Sequence, residues 1–233
     1  MERLFALLIG YAFGCFQTAY IVGKFNGIDI REHGSGNAGT TNSYRVMGSK
    51  AAAIVFVGDF LKMVLSILLV RLLFETAEGG NWLMLTLYTA LGVILGHDFP
   101  FYMSFKGGKG IASTAGLILM LDWRLVIIGL IVFFGLIFLT HLVSLASCTL
   151  IFFLLICSVI LITGGHIPTG SMAVWEAIGV IAFICVLALF QHRSNIGRLL
   201  RGEEKKVILK MPNPLKQTET KGEETVEEAE KSE

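Results

Sequence analysis

The fold of this chain is decided by the stretch from Leu125 to Gly164, which reads LVIIGLIVFFGLIFLTHLVSLASCTLIFFLLICSVILITG. It contains no Asp, Glu, Lys or Arg. A helix crosses the ~30 Å hydrocarbon core of a bilayer with about 20 apolar residues, so this stretch is too long for one crossing. His141 and the Ser/Thr residues between Thr140 and Thr149 predict a break. The sequence therefore predicts two membrane helices, Leu125–Thr140 and Ala146–Thr163.

The composition is that of a membrane protein. The chain is 54% hydrophobic and 16% charged, with a mean hydropathy of +0.71, whereas soluble domains carry about 25% charged residues. Its four cysteines lie in apolar runs without CxxC spacing, so we expect neither a disulfide nor a metal site, and no cofactor. Basic loops on a membrane protein suit anionic lipid and phosphate groups, not nucleic acid.

Other apolar stretches complete the predicted bundle. Four of them are interpreted as spans, and these are Leu4–Gly23, Ala51–Leu73, Trp82–Gly96 and Met172–Phe190. The first lacks a small-residue cleavage site, so it is read as a helix and not as a signal peptide. A shorter stretch, Ile111–Leu121, fits a short span, a re-entrant segment or a surface helix.

Loop charge decides between these readings. With seven spans, 15 of the 19 Lys and Arg residues fall in loops 24–50, 97–110, 141–145 and 191–233 on one side. Cytoplasmic loops carry the Lys/Arg excess, whereas six spans would divide these loops between both sides. We therefore predict an all-α, polytopic integral membrane protein with seven transmembrane helices, an outside N-terminus and a cytoplasmic C-terminus. Residues 1–205 form the membrane domain, and 206–233 form a charged, disordered cytoplasmic tail.

The first polar motif reads HGSGNAGTTN from His33 to Asn42 and is followed by Arg45. It contains G-x-G-x-x-G, but it follows a membrane helix without a βαβ unit, which argues against a dinucleotide fold. Glycines let backbone N–H groups converge on an anion, and an arginine adds a bidentate phosphate contact. The motif is therefore interpreted as a phosphate-binding loop.

The second motif reads FKGGKGIAST from Phe105 to Thr114, shortly after Gly96-His97-Asp98. It is not a Walker loop, because no glycine stands five residues before Gly108. The glycines and Lys109 run directly into an apolar helix start, so backbone N–H groups, the helix dipole and the ammonium can meet one anion.

Three smaller polar groups remain. Ser144 and Ser147 lie between two predicted spans, and the segment His192–Glu204 places His192, Asn195 and Arg198 at helical spacing. Asp59 and Lys62 lie inside a span, where charges are costly and usually functional or paired. They either neutralise each other or orient a catalytic loop.

Together, and in this order, these motifs resemble the PlsY family, bacterial glycerol-3-phosphate acyltransferases that use acyl-phosphate. The resemblance covers about residues 1–205. It implies transfer of an acyl group from acyl-phosphate to the 1-hydroxyl of sn-glycerol 3-phosphate, giving lysophosphatidic acid and phosphate in phospholipid biosynthesis. It also implies a multi-pass protein of the bacterial cytoplasmic (inner) membrane with a cytoplasmic active site. A functional link to the enzyme that makes acyl-phosphate is expected.

The resemblance also implies site residues. The candidate catalytic residues are Ser35, Arg45, Lys109, Asn195 and His192. The candidate substrate-binding residues are Asn37, Thr41, Asn42, Gly107, Gly108, Gly110, Ser113, Ser144, Ser147, Arg198 and Glu204. The chain departs from the family pattern with Thr40 for alanine, Ser113 for threonine, Met63 for glycine, and His141-Leu142 where Arg-Tyr is frequent.

Several alternatives stay open at this stage. In one hypothesis His192 is the general base. In the other no strong base is required, and the acceptor's own phosphate or Asn195 helps to move the hydroxyl proton. An anion transporter or a lipid-binding scaffold also needs basic loops, although a transporter usually shows repeats and a midplane site. The G-x-x-x-G patterns Gly10–Gly14 and Gly92–Gly96 fit packing within one chain as well as between chains.

Overall fold

The computed structural model describes residues 1–74, 80–170 and 172–207, and within these ranges all regular structure is helical. The helices are α1 (Glu2–Gly14), α2 (Thr18–Phe25), α3 (Thr40–Phe74), α4 (Trp82–Asp98), α5 (Ile111–Leu121), α6 (Trp123–Thr140), α7 (Val143–Thr163), α8 (Val174–Gln191) and α9 (Arg193–Leu200). Six segments of this described part are long and apolar enough to cross a membrane, and α5 is shorter. The predicted tail falls outside the described residues from position 208 onward.

Two predicted spans differ from the observed helices by more than three residues or by a break, whereas the others shift by at most three residues at either end. The predicted Leu4–Gly23 is divided into α1 and α2, because the chain leaves helical geometry around Gln17. The predicted Ala51–Leu73 begins earlier, at Thr40, and Gly48 interrupts it with a φ of +84°. That left-handed value favours glycine, so Gly48 sets the angle between the first turns of α3 and its apolar body. The motif residues Thr41, Asn42 and Arg45 therefore lie on a helix and not in a loop.

The centre of the bundle is α4, whose side chains are buried along most of its length. It packs against α1 through the two glycine patterns, which face each other. A Cβ on Gly10 would lie 2.2 Å from the Thr89 carbonyl oxygen, and one on Gly92 would lie 2.1 Å from the Leu7 carbonyl oxygen. These patterns thus bring two helices of one chain into backbone contact. Large apolar side chains remain exposed on the outer surface, as expected for contact with lipid, and among them are Leu72, Leu139 and Trp175.

The two ends of the bundle carry different contacts. At the end that we call the opposite face, Arg3 pairs with Glu176 at 2.6 Å, and Asn81 donates to Glu2 and to the carbonyl of Phe74. At the end that we call the motif face, the Val207 amide donates to the His141 carbonyl at 2.9 Å. Accordingly α3 ends at the opposite face, whereas α6 ends at the motif face.

The short helix α5 runs in the same direction as α3. The Ser113 hydroxyl donates to the carbonyl of Asp59 at 3.1 Å, and Gly116, further along α5, faces Phe60 and Met63. Asp122 then separates α5 from α6 with an extended backbone, and its carboxylate accepts from the Arg124 amide at the start of α6. The polar segment 104–110 and α5 therefore lead the chain from the motif face towards the start of α6.

Candidate active site

The first motif is a short loop fastened to the start of α3. The Asn42 side chain accepts from the Ser35 amide at 2.8 Å and donates to the carbonyls of Ile30 and His33. A Cβ on Gly34 would lie 2.2 Å from Asn42 Oδ1, so only glycine allows this approach. Asn42, which was predicted to bind substrate, is itself buried and holds the loop, while the Ser35 side chain stays exposed.

The second motif is fastened to the end of α4. The amides of Gly108 and Gly107 donate to the carbonyls of His97 and Asp98, at 3.0 and 3.1 Å. Asn37 of the first motif donates to the Gly107 carbonyl at 3.4 Å, which joins the two motifs. The two glycine-rich segments, 70 residues apart in the chain, therefore form one surface at the motif face.

Lys109 and the last motif form a hydrogen-bonded network. The Lys109 ammonium donates to Asn195 Oδ1, and Asn195 Nδ2 donates to Glu204 at 2.7 Å. Arg198 donates to the other oxygen of Glu204 at 2.6 Å. Four residues predicted from two motifs are thus joined in one chain of contacts, in which Asn195 links the Lys109 ammonium to the Glu204 carboxylate and Arg198 pairs with that carboxylate.

Arg45 lies at the edge of this network. Its guanidinium donates to the carbonyl of Lys205 at 3.2 Å, one residue after Glu204. The segment from Glu203 to Val207 turns back over the motif face, since the Glu203 amide donates to the Arg198 carbonyl and Val207 is tied to His141. None of these three contacts was predicted, because each involves backbone atoms, which the sequence pattern does not distinguish.

The electrostatics of the network follow from burial and pairing. Burial lowers the pKa of Lys109, and the nearby charge of Arg198 lowers it further, while Glu204 acts in the other direction. Burial raises the pKa of Glu204, but Arg198, Asn195 and Ser144 together lower it more, so its pKa is below the usual value. Glu204 is therefore an anion that offsets the positive charges of Arg198 and Lys109.

His192 lies one turn before Asn195 and is buried. Its Nδ1 lies 2.8 Å from the Ala188 carbonyl oxygen, which can only accept, so Nδ1 carries the proton. Burial lowers the pKa of His192 to about 4, and Lys109 contributes in the same direction. The imidazole is thus neutral and weakly basic at neutral pH.

The predicted serines do not all join the network. Ser144 lies beside Glu204, at the start of α7. Ser147 instead donates to the carbonyl of Val143 at 2.8 Å, within its own helix. Ser113 is fully buried and contacts α3. Thr41 is half-buried, and Gly110 begins the turn into α5 with a φ of +73°. No cluster of metal-binding side chains occurs in the described ranges.

Sequence reasoning assigned no role to His97. Its ring lies directly beneath the segment Gly107–Gly110, which we call the glycine loop. A Cβ on Gly108 would lie 2.0 Å from His97 Nε2. The imidazole also contacts Lys62, with Nζ 2.7 Å from Nδ1. A signal for this role was present in the sequence: His97 shortly precedes the second motif, and the charged residues Asp59 and Lys62 inside a span need polar partners.

Comparisons with known proteins show the family of the chain. A family model described as glycerol-3-phosphate acyltransferase matches residues 4–202. The chain belongs to this family. It is 38% identical over 212 residues to the glycerol-3-phosphate acyltransferase of Thermoanaerobacter sp. (strain X514), covering 89% of this chain and 96% of that protein. To the enzyme of the same name from Staphylococcus saprophyticus it is 37% identical, with 89% and 98% covered.

Solved structures of a family member have the same fold. The crystal structure of PlsY, an integral membrane glycerol 3-phosphate acyltransferase, in its glycerol 3-phosphate form, superposes with a TM-score of 0.76 at 30% identity, covering 89% of this chain and 96% of that chain. Its lysophosphatidic acid form gives a TM-score of 0.73, also at 30% identity, with 90% and 97% covered. The family's architecture thus extends over all the motifs described above.

Proposed function

We propose that this protein transfers an acyl group from acyl-phosphate to the 1-hydroxyl of sn-glycerol 3-phosphate. The observation that carries the proposal is the meeting of Lys109 with Asn195, Arg198 and Glu204 beside the glycine loop. Both substrates carry phosphate. This surface presents the cations Lys109 and Arg198 beside the start of α5, where the first amides of a helix have no partner within the helix. The relatives bear the name of the same acyltransferase activity, and the superposed PlsY structures are described as glycerol 3-phosphate and lysophosphatidic acid forms.

In the proposed reaction, the acceptor's 1-hydroxyl oxygen attacks the carbonyl carbon of acyl-phosphate. The bond from that carbon to the bridging phosphate oxygen breaks, phosphate leaves, and lysophosphatidic acid forms. Phosphate is a good leaving group, so no covalent enzyme intermediate is required. The protein must hold two anions together and stabilise developing charge, and Arg45, Lys109 and the amides at the start of α5 suit that task. Positioning of this kind is worth roughly 7–11 kcal/mol.

The roles proposed for single residues follow this scheme. Ser35, Arg45, Lys109 and Asn195 contact the reacting groups, and Gly107, Gly108 and Gly110 supply close backbone approach. Four further residues hold the loops and helices of the site in place and so position the groups that contact substrate, and these are Asn37, Asn42, Ser113 and Ser147. Thr41, Ser144, Arg198 and Glu204 complete the binding surface. His192 lies next to this surface without serving as a strong base, because its pKa is about 4. The hydroxyl proton then passes to a phosphate oxygen or is assisted by Asn195.

We further propose seven crossings in the bacterial cytoplasmic membrane, with the motif face in the cytoplasm. Support comes from loop charge and from the direction of α5, which parallels α3. At 1.5 Å per residue the 11-residue helix α5 is shorter than the ~30 Å hydrocarbon core, so in this proposal the segment before α5 supplies the rest of the crossing. The membrane-domain boundary near residue 205 and the separate tail belong to the same proposal.

One assay tests the proposed activity. Purified protein is incubated with palmitoyl-phosphate and radiolabelled glycerol 3-phosphate, and we expect labelled lysophosphatidate and free phosphate in equal amounts. Lys109→Met removes the ammonium at similar size and should abolish product, whereas Lys206→Met, an exposed lysine outside the network, should leave it intact. Product from acyl-CoA but none from palmitoyl-phosphate would show that the donor assignment is wrong. An inactive protein that carries glycerol 3-phosphate across vesicles would favour a transporter.

A further inference from the structure

Beneath the active site lies a polar cluster that the proposed chemistry does not use. It consists of Asp59 and Lys62 on α3 and His97 on α4, which are 1%, 4% and 3% exposed. Lys62 Nζ lies 2.9 Å from Asp59 Oδ1, and Thr18 donates to the same carboxylate oxygen at 3.2 Å. The two opposite charges therefore compensate each other inside the bundle.

The Lys62 ammonium has four acceptors within 3.3 Å for its three N–H groups, and His97 Nδ1 is the nearest of them. Besides Asp59, it contacts the carbonyls of Phe16 at 2.9 Å and Gly14 at 3.3 Å, where the chain passes from α1 to α2. Its remaining neighbour is His97 Nδ1, at 2.7 Å. An ammonium can only donate, so Nδ1 must offer a lone pair, and the proton of the neutral imidazole is on Nε2. The ion pair thus selects one tautomer of His97.

His97 is in turn the surface on which the glycine loop rests. Its carbonyl accepts from the Gly108 amide at 3.0 Å and from Gln17 at 2.9 Å, so its backbone is fixed from both sides. Its Nε2 faces Gly108, whose missing side chain leaves room for the ring. Lys109 is the next residue. The other end of the loop is held to the same helix turn of α3, because Ser113 donates to the Asp59 carbonyl.

We propose that Asp59, Lys62 and His97 are positioning residues that set the tautomer and place of the His97 ring and, through it, the loop that presents Lys109. The inference rests on the proposed role of Lys109 in binding phosphate. None of the three contacts the reacting groups. Their effect is to keep the ammonium of Lys109 and the first amides of α5 at the geometry that two phosphates require.

A purely stabilising role does not explain this arrangement. Replacing a buried ion pair by apolar residues of similar volume is often neutral or stabilising, so burial of Asp59 with Lys62 is weak evidence for stability. What an apolar pair cannot supply is a donor to His97 Nδ1. Side chains that orient an imidazole through its second nitrogen are a recurring means of fixing a functional group.

The tautomer is tested first, on the unaltered protein. With ¹⁵N-labelled histidine in detergent or lipid, the two ring nitrogens of His97 are distinguished by their chemical shifts, and His97→Asn identifies the signals. We expect protonated Nε2 and unprotonated Nδ1 across neutral pH. A proton on Nδ1 would overturn the proposal, and this measurement depends neither on activity nor on the fold of any inactive variant.

Two matched double variants test the positioning. Asp59→Asn with Lys62→Gln and Asp59→Asn with Lys62→Met both remove the two charges at similar volume, but only the glutamine keeps an N–H donor for His97. We expect the methionine pair to lose about 10²-fold in kcat/KM for glycerol 3-phosphate, the scale of a 1 Å misplacement. The glutamine pair should retain at least tenfold more activity and the Nε2 proton. Arg3→Met with Glu176→Gln, which removes an ion pair at the opposite face, should change kcat/KM less than twofold.

Equal kcat/KM in the two doubles, whatever its value, would contradict the proposal, because a role in stability alone predicts the same kcat/KM for the folded protein of either double. Failure of the wild type to use palmitoyl-phosphate would count against the proposed reaction alone. In that case the effect on the glycine loop is tested by measuring the binding of glycerol 3-phosphate to both double variants by calorimetry. Weaker binding by the methionine pair than by the glutamine pair would still support the positioning, and equal binding would refute it.

Discussion

At the scale of single residues, His192 separates two accounts of proton transfer. Its buried imidazole has a pKa lowered to about 4, and a general base contributes about 10²–10⁴-fold when its pKa lies near the working pH. We therefore expect His192→Ala to keep kcat within about tenfold of the wild type. The exposed His166→Ala at the far end of α7 is the matched control. A loss of more than 10²-fold in kcat at unchanged KM would identify His192 as the base.

The same shift predicts a pH effect on stability. The folded-state pKa of His192 lies below the ordinary 6.5, so the unfolded chain binds this proton more readily between pH 6.5 and about 4. The contribution of His192 to stability is thus present above pH 6.5 and is lost as the pH falls towards 4. An NMR titration of the substrate-free protein should show His192 titrating near 4. A midpoint near 6.5 would disagree with the buried position.

Gly108 gives a second test at the residue scale. A Cβ there would lie 2.0 Å from His97 Nε2, which is closer than real side chains approach. We expect Gly108→Ala to displace the loop and to lower kcat/KM by about 10²-fold. Gly135→Ala on α6, where a Cβ would meet nothing within 4 Å, is the control and should stay fully active. Wild-type kinetics in Gly108→Ala would mean that the loop tolerates the displacement.

At the scale of elements, the crossing of α1 and α4 depends on glycine. A Cβ on Gly92 would lie 2.1 Å from the Leu7 carbonyl oxygen, and a backbone atom cannot rotate away. We expect Gly92→Ala to cost about 1–3 kcal/mol in the free energy of unfolding, although alanine favours helix formation. Gly179→Ala on α8 has open space and should be neutral or stabilising. Denaturation in detergent measures both, and equal stability would refute the packing argument.

At the scale of the whole molecule, α5 decides the number of crossings. Single cysteines at Lys106, Trp123 and His166, in a variant without the native cysteines, report the side of each position through impermeant thiol reagents. We expect labelling of position 106 from the cytoplasm, and of positions 123 and 166 from outside. Labelling of position 123 from the cytoplasm would make the segment re-entrant and reduce the crossings to six.

Sequence alone determined the structural class and the family, and it supplied the candidate site residues. Charged side chains are costly inside the hydrocarbon core of a membrane. A long run without charges, such as Leu125–Gly164, therefore predicts membrane helices. The order of the motifs indicated the family, and their residue types predicted that the site binds phosphate. All these signals are local in the chain or depend on composition, so they can be detected in the sequence without a structure. For the same reason α5 was predicted with its observed ends, Ile111 and Leu121.

Tertiary structure alone decided which motif residues meet. Lys109 and Asn195 lie 86 residues apart, and nothing in either segment specifies the other. The break between α1 and α2 and the seating of the glycine loop on His97 depend on long-range contacts with backbone atoms. Backbone carbonyls are the same at every position, so sequence patterns do not reveal which of them a buried lysine or histidine will find. Packing chooses among them, because each buried donor must be satisfied.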